Sequence, residues 1–188
     1  MNRYIYQREV KTLTTFEENK SFADSFIEQQ REILNNNVDV LDFNKAKKHH
    51  MYRLGTPEED IYHEADMIIF EFCSLKIALR VRNGHSYDHG DIAIRSKTAY
   101  GNRTELDKIV DGEGDYYLYC WTDDSNNISE YILFDLDMFR DTMDETLSQN
   151  NIPNGYGGAF STFSIHEMLK GDCVVAKSLM TRSNYMQI

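Results

Sequence analysis

Two runs rich in aromatic and branched residues, "DYYLYCW" (115–121) and "SEYILFDL" (129–136), flank the polar stretch "TDDSNN". Such residues suit a pleated, packed surface, and a short polar connector between two of these runs predicts a hairpin. Alternation along the first run places Tyr117, Tyr119 and Trp121 on one face and Tyr116, Leu118 and Cys120 on the other. Both sets read first as core residues. Their second reading is a stacking surface for bases.

Other strands and helices follow from period and punctuation. "DMIIFEFC" (66–73), "LKIALRVR" (75–82) and "DIAIRSK" (91–97) read as a strand series. In the second, Leu75, Ile77, Leu79 and Val81 alternate with Lys76, Ala78, Arg80 and Arg82, predicting a half-buried strand with a basic outer face. In the third, Ile92 and Ile94 share a face. A first helix is predicted over 15–35, capped by Thr15 with Glu18, with Ala23, Phe26, Ile27, Ile33 and Leu34 on one side. "NRTELDKIV" starts a short helix that Thr104 or Asn102 can cap and Gly112 can close. Residues 137–150 read as an amphipathic helix and "NIPNGYGG" as a Gly-rich loop. Ser164 with Glu167 caps "SIHEMLK", and "CVVAKSLM" is a last strand. The "KAKKHH" run reads as solvated surface.

Strands joined by short turns imply antiparallel pairs, and the strand–helix–strand unit over 91–121 permits one parallel pair. The expected fold is a single α+β domain with a central mixed sheet flanked by helices. Its core, about 15–137, runs α-β-β-β-α-β, and 138–188 form a helix–strand extension. An apolar content of 41% over 188 residues is enough for such a core.

The formal charge is −11, which argues against indiscriminate nucleic-acid binding. The charge is uneven. Acids concentrate in "VDGEGD" and "LFDLDMFRDTMDE", whereas Arg80, Arg82, Arg95, Lys97, Arg103 and Lys108 fall in one central stretch. This distribution is compatible with a local basic face on an acidic molecule. No apolar run reaches the roughly 18–20 residues of a membrane span. The first residues lack the apolar stretch of a secretion signal, and the cytoplasm is the expected location. Cys73, Cys120 and Cys173 have no metal-type spacing and read as buried free thiols.

The α-β-β-β-α-β order, with "RVR", "IRS", "TELDKI" and "GEGDY" along it, resembles the core of the PD-(D/E)XK (restriction-endonuclease-like) nuclease superfamily, and uncharacterised phage and bacterial proteins with the same pattern. The resemblance spans roughly 15–137. It implies a DNA-acting protein in which acidic residues hold magnesium and a lysine orients the attacking water. Arg95-Ser96-Lys97 stands where that family has an acid, any residue and lysine. Lys97 then takes the lysine's role, Glu105 on the next helix substitutes for the acid, and Asp66 and Asp91 are candidate metal ligands. Arg80, Arg82, Arg95, Arg103 and Lys108 would hold DNA phosphates. Magnesium takes one or two carboxylates with water and phosphate, and would lower the pKa of a bound water. Two alternatives stay open: a non-catalytic nucleic-acid-binding or protein-interaction module, and an acidic inhibitor or assembly protein with a basic protein partner. A homodimer is compatible with each.

Overall fold

A computed structural model describes residues 18, 20–54, 67–83 and 90–179. The chain forms helix α1 (Ile27–Asn36), strands β1 (Lys47–Leu54), β2 (Met67–Ser74), β3 (Ile77–Asn83) and β4 (Asp91–Lys97), and helix α2 (Glu105–Val110). Then follow β5 (Tyr116–Thr122), β6 (Ile128–Asp135), α3 (Leu136–Thr146), β7 (Leu147–Pro153), β8 (Ala159–Ser164), α4 (Ile165–Lys170) and β9 (Val174–Ser178). The fold is α+β in one compact domain.

The expected aromatic hairpin organises it. β5 and β6 pair antiparallel, turning through Asn126 in the left-handed region (φ 58°). They form the middle of a mixed sheet of order β3-β5-β6-β9, in which β3 runs parallel to β5 and β9 antiparallel to β6. Every residue of β5 is buried. Tyr116, Leu118 and Cys120 pack with Phe26, Ile33 and Leu34 beside α1. Tyr117, Tyr119 and Trp121 face the opposite way, onto Ile92 and Ile94 of β4, Phe163 of β8 and Met168 of α4. That second layer is an antiparallel sheet of order β4-β8-β7. A ladder of rings, Tyr117–Phe134–Phe139–Phe163, links the two sheets through α3 with centroid spacings of 5.2, 5.2 and 5.0 Å. Each such pair adds about 0.5–1.5 kcal/mol beyond its area burial.

Polar tethers fix α1 and the segment after it on the sheet. Gln29 accepts from the Ile128 amide (2.7 Å), and the Tyr116 hydroxyl accepts from the Asp42 amide (2.8 Å). Lys45 reaches Asp135 (2.5 Å) and Asp137 (3.1 Å) at the start of α3, where Asp135 also caps the helix through the amides of Asp137 and Met138.

The mixed sheet agrees with the sequence reading, but several details differ. The parallel pair is β3 with β5, not β4 with β5. A parallel connection needs a crossover of a dozen or more residues, and here β4 and α2 lie within it while β4 pairs in the other sheet. β1 pairs with β2, so "KKHH" is strand, with Lys47 and Lys48 exposed as the solvated reading has them. The helix predicted to Asn150 ends at Thr146, and the residues after it, together with 159–164, form β7 and β8. The segment from 138 onward thus supplies strands to both sheets. A turn at 25–26 resets the first helix's phase. Phe26 is buried as expected, but Gln30 is buried with it while Ala23 and Ile27 are exposed. The predicted cap Thr15 lies outside the described residues. Cys120 and Cys173 are buried as expected. Cys73 is exposed, since β2 pairs only with β1 and joins neither layer of the core.

Candidate functional site

Alternation on β3 sends Ala78, Arg80 and Arg82 to the side of the sheet that carries Tyr117 and Tyr119. β3 is the edge strand there, so its basic face lies part-buried at the border of the core instead of sealed within it. β4 runs past it in the second sheet, and α2 follows after a loop. Between β3, β4 and α2 lies a cleft of about 580 Å³. Its wall carries five cations, Lys76, Arg80, Arg95, Arg103 and Lys108, against two carboxylates, Glu105 and Glu113.

Local structure holds each group in place. Thr104 and Asp107 form a reciprocal capping box (3.1 and 2.7 Å), which fixes the first turn of α2 and with it Glu105. The Thr104 amide and hydroxyl hold the Asp107 carboxyl below its usual range. Lys76 is set by a two-way clasp: its amide donates to the Asp115 carboxylate (2.6 Å) and its carbonyl accepts from the Asp115 amide (2.8 Å). Gly114, at φ 85°, leaves room for Leu136, which an added Cβ would meet at 3.0 Å.

Glu105 is the centre of the cleft floor. One of its oxygens accepts from the buried Tyr117 hydroxyl (2.6 Å). The other faces Arg80 (3.4 Å) and the Arg95 amide (3.4 Å). Burial, and then the Glu105 charge, push the Tyr117 hydroxyl well above its ordinary pKa, so it stays a neutral donor. Burial weighs against the Arg80 charge, and Glu105 more than offsets it. Arg103 is bound by both Glu113 and Asp111, which raise its pKa and neutralise it locally.

The remaining cations are not paired in this way. Lys76, Arg82, Arg95 and Lys108 make no ion pair with any described carboxylate. Arg82 and Arg95 instead share one ring: their guanidinium carbons lie 5.4 and 5.9 Å from the centroid of Phe160 on β8. A ring beneath two guanidiniums is a cation–π shelf that orients both without neutralising either.

The structure thus gathers Arg80, Arg95, Arg103, Glu105 and Lys108 around one cleft, with Arg82 beside it. Lys97 is exposed at the end of β4, past a register shift against β8, and does not line the cleft. Its side chain makes no hydrogen bond or ion pair with Glu105. Asp91 begins β4, about 13 Å along the strand from Arg95, and accepts from Ser148 (3.1 Å). Asp66 lies outside the described residues. Among the described residues no group of three or more His, Cys, Asp or Glu side chains comes together as a metal site.

Sequence reasoning left Lys76 and Phe160 out of the site. Lys76 was legible as part of the basic alternation of β3. Phe160 was not, because no strand was read over 159–164. No protein-family model, curated protein or solved structure matches the chain.

Proposed function

We propose that this cleft binds the phosphate groups of nucleic acid, DNA in the first instance, and that the chain acts as a binding module. One observation carries the reading. A chain with 31 acidic and 20 basic residues leaves Lys76, Arg95 and Lys108 at one cleft, and Arg82 beside it, without ion-pair partners among the described residues. Unpaired cations held close together repel one another, and a phosphodiester relieves that repulsion with charge-assisted hydrogen bonds. The surrounding acid limits contact to this one place, so binding is local and not a coating of the duplex.

Hydrolysis at the same cleft draws support from Glu105 alone among the predicted acids described there. Its oxygens already accept from Tyr117, Arg80 and the Arg95 amide, so a magnesium ion would compete with Arg80 for it. This arrangement supports positioning of Arg80 better than it supports metal ligation.

The test is fluorescence anisotropy with short labelled DNA across a potassium chloride series. Binding should weaken as salt rises, need no magnesium, and lose about two to three units of slope in Arg82→Ala/Arg95→Ala/Lys108→Ala. Absence of any binding at low salt would sink the reading. Magnesium-dependent cleavage that disappears in Glu105→Ala would replace it with the hydrolytic one.

A further inference from the structure

Beyond the cleft, two loops present large side chains to solvent. Tyr156 is 88% exposed and Tyr100 75%. Neither hydroxyl makes a hydrogen bond, and neither ring packs on the described chain, so the fold itself gives no reason for either ring.

The loops are nevertheless built. In the first, Gly101 donates to the Thr98 carbonyl (3.4 Å) and the Thr98 hydroxyl donates to the Asn102 carbonyl (3.0 Å), with Tyr100 at the tip. Thr98 and Arg103, at its two ends, both line the basic cleft. In the second, the Asn154 side-chain oxygen accepts from the amides of Tyr156 (2.9 Å) and Gly158 (3.1 Å), closing a turn around Tyr156. The two loops touch. A Cβ at Gly157 would come within 3.2 Å of the Ala99 Cβ, and one at Gly158 within 2.8 Å of the Lys97 carbonyl oxygen. Glycine is needed at 158 because backbone passes against backbone.

Register places this pair of loops next to the cation shelf. Arg95 pairs with Phe160 across β4 and β8, and Lys97 with Ala159 is the next pair. Both chains then leave the sheet for the two loops. Arg95 and the Phe160 ring that it shares with Arg82 therefore stand next to the two loops that carry the exposed tyrosines.

We infer that Tyr100 and Tyr156 stack on unpaired bases of a single DNA strand whose phosphates lie on Arg82, Arg95 and Lys108. This rests on the cleft being a phosphate site, as proposed above, and specifies the ligand. Charge alone does not select a single strand from a duplex. Aromatic faces do, because duplex bases already stack on one another while single-strand bases have free faces. The contacts named use phosphate and base faces, and none requires a 2′-hydroxyl.

The experiment compares a labelled twelve-nucleotide oligo-dT, oligo-U of the same length, and a duplex, at low salt. The proteins are wild type, Tyr100→Ala/Tyr156→Ala, Tyr100→Phe/Tyr156→Phe and Arg82→Ala/Arg95→Ala/Lys108→Ala. The alanine pair should weaken oligo-dT binding roughly tenfold or more with an unchanged salt slope. The phenylalanine pair should bind as wild type does, and the duplex should be the weaker ligand for wild type. Salt-sensitive binding that the alanine pair leaves intact would overturn this inference and leave the phosphate site standing. Tenfold preference for the duplex or for oligo-U would overturn the assignment to single-stranded DNA. No binding by wild type to any of the three would overturn the phosphate site itself.

Discussion

Two clusters of cations and carboxylates lie near the end of the β5–β6 hairpin where Tyr116 pairs with Asp135, and they are built differently. At the start of α3, Lys45 is held by Asp135 and Asp137, and Asp135 also caps the helix. Arg140 closes the group by pairing with Asp137. Every charged group there has a partner, and Asp135 is buried. In the cleft between β3, β4 and α2, Glu105 satisfies Arg80 and Tyr117, Arg103 is bound by its own acids, and Lys76, Arg95 and Lys108 are left over. A closed set of charges ties elements together and offers nothing to a ligand. An open set costs stability through repulsion and keeps donors available. By that comparison the first cluster is structural and the second is the candidate site.

The comparison breaks most visibly at Asp135. Asp135→Ala removes a helix cap and leaves Lys45, whose side chain is one-quarter exposed, with only Asp137. Cap loss costs about 0.5–2 kcal/mol and the half-screened ion pair adds to it, less than the 3–5 kcal/mol of a fully buried pair. A total loss of about 3 kcal/mol is expected in a urea unfolding curve. DNA binding by the fraction still folded should not change. Weakened binding at full folding would show that the two clusters are coupled.

The same test applied to the cleft gives the opposite signature. Glu105→Gln keeps an acceptor for the Tyr117 hydroxyl but removes the charge facing Arg80. Stability should fall by about 1–2 kcal/mol, since Arg80 is mostly buried and loses its counter-charge. Affinity for DNA should rise by several-fold, because Arg80 becomes available and a repelling carboxylate is gone. Calorimetric unfolding and anisotropy read the two effects separately. A loss of affinity would mean that Glu105 itself touches the ligand.

What the sequence shows of this molecule follows the range of each signal. Local signals were readable: the alternation of β5, the Ile92 and Ile94 face of β4, the Thr104 cap of α2 and the Ser164 cap of α4 all stand where period and capping chemistry put them. Pairing partners were not readable. β3 and β4 look like a meander, and only their long-range partners β5 and β8 decide that they lie in different sheets. β7 escaped because "LSQNNIP" is polar: five of its seven residues are exposed, and Leu147 and Ile152 alone are half-buried. In the site, the basic residues of β3, Arg95 and Lys108 were visible as a charge cluster. Which of them are neutralised depends on Asp111, Glu113 and Glu105 in space. Tyr100 and Tyr156 were hidden in loops, where no period distinguishes an exposed ring from a packed one.

The smallest expected effect lies in the pH dependence of the closed cluster. Hydrogen bonding to Lys45 holds the Asp137 carboxyl below its ordinary 3.8. Its contribution to stability is therefore full above pH 3.8 and is lost as pH falls through the lower folded value. Burial works against the Lys45 charge, but its bonds to Asp135 and Asp137 outweigh that and raise it above 10.5. Its contribution is present below pH 10.5 and is lost as pH rises through the higher folded value. Asp137 is more than half exposed, so solvent screens the pair. Asp137→Asn should cost less than about 1 kcal/mol at neutral pH, and the difference between wild type and variant should shrink toward zero as pH falls below 3.8. Urea midpoints from about pH 2 to about pH 7, a range that spans carboxylate titration, would check this. A difference that stays constant across that range would remove the ion pair from the account and leave only the geometry of the helix start.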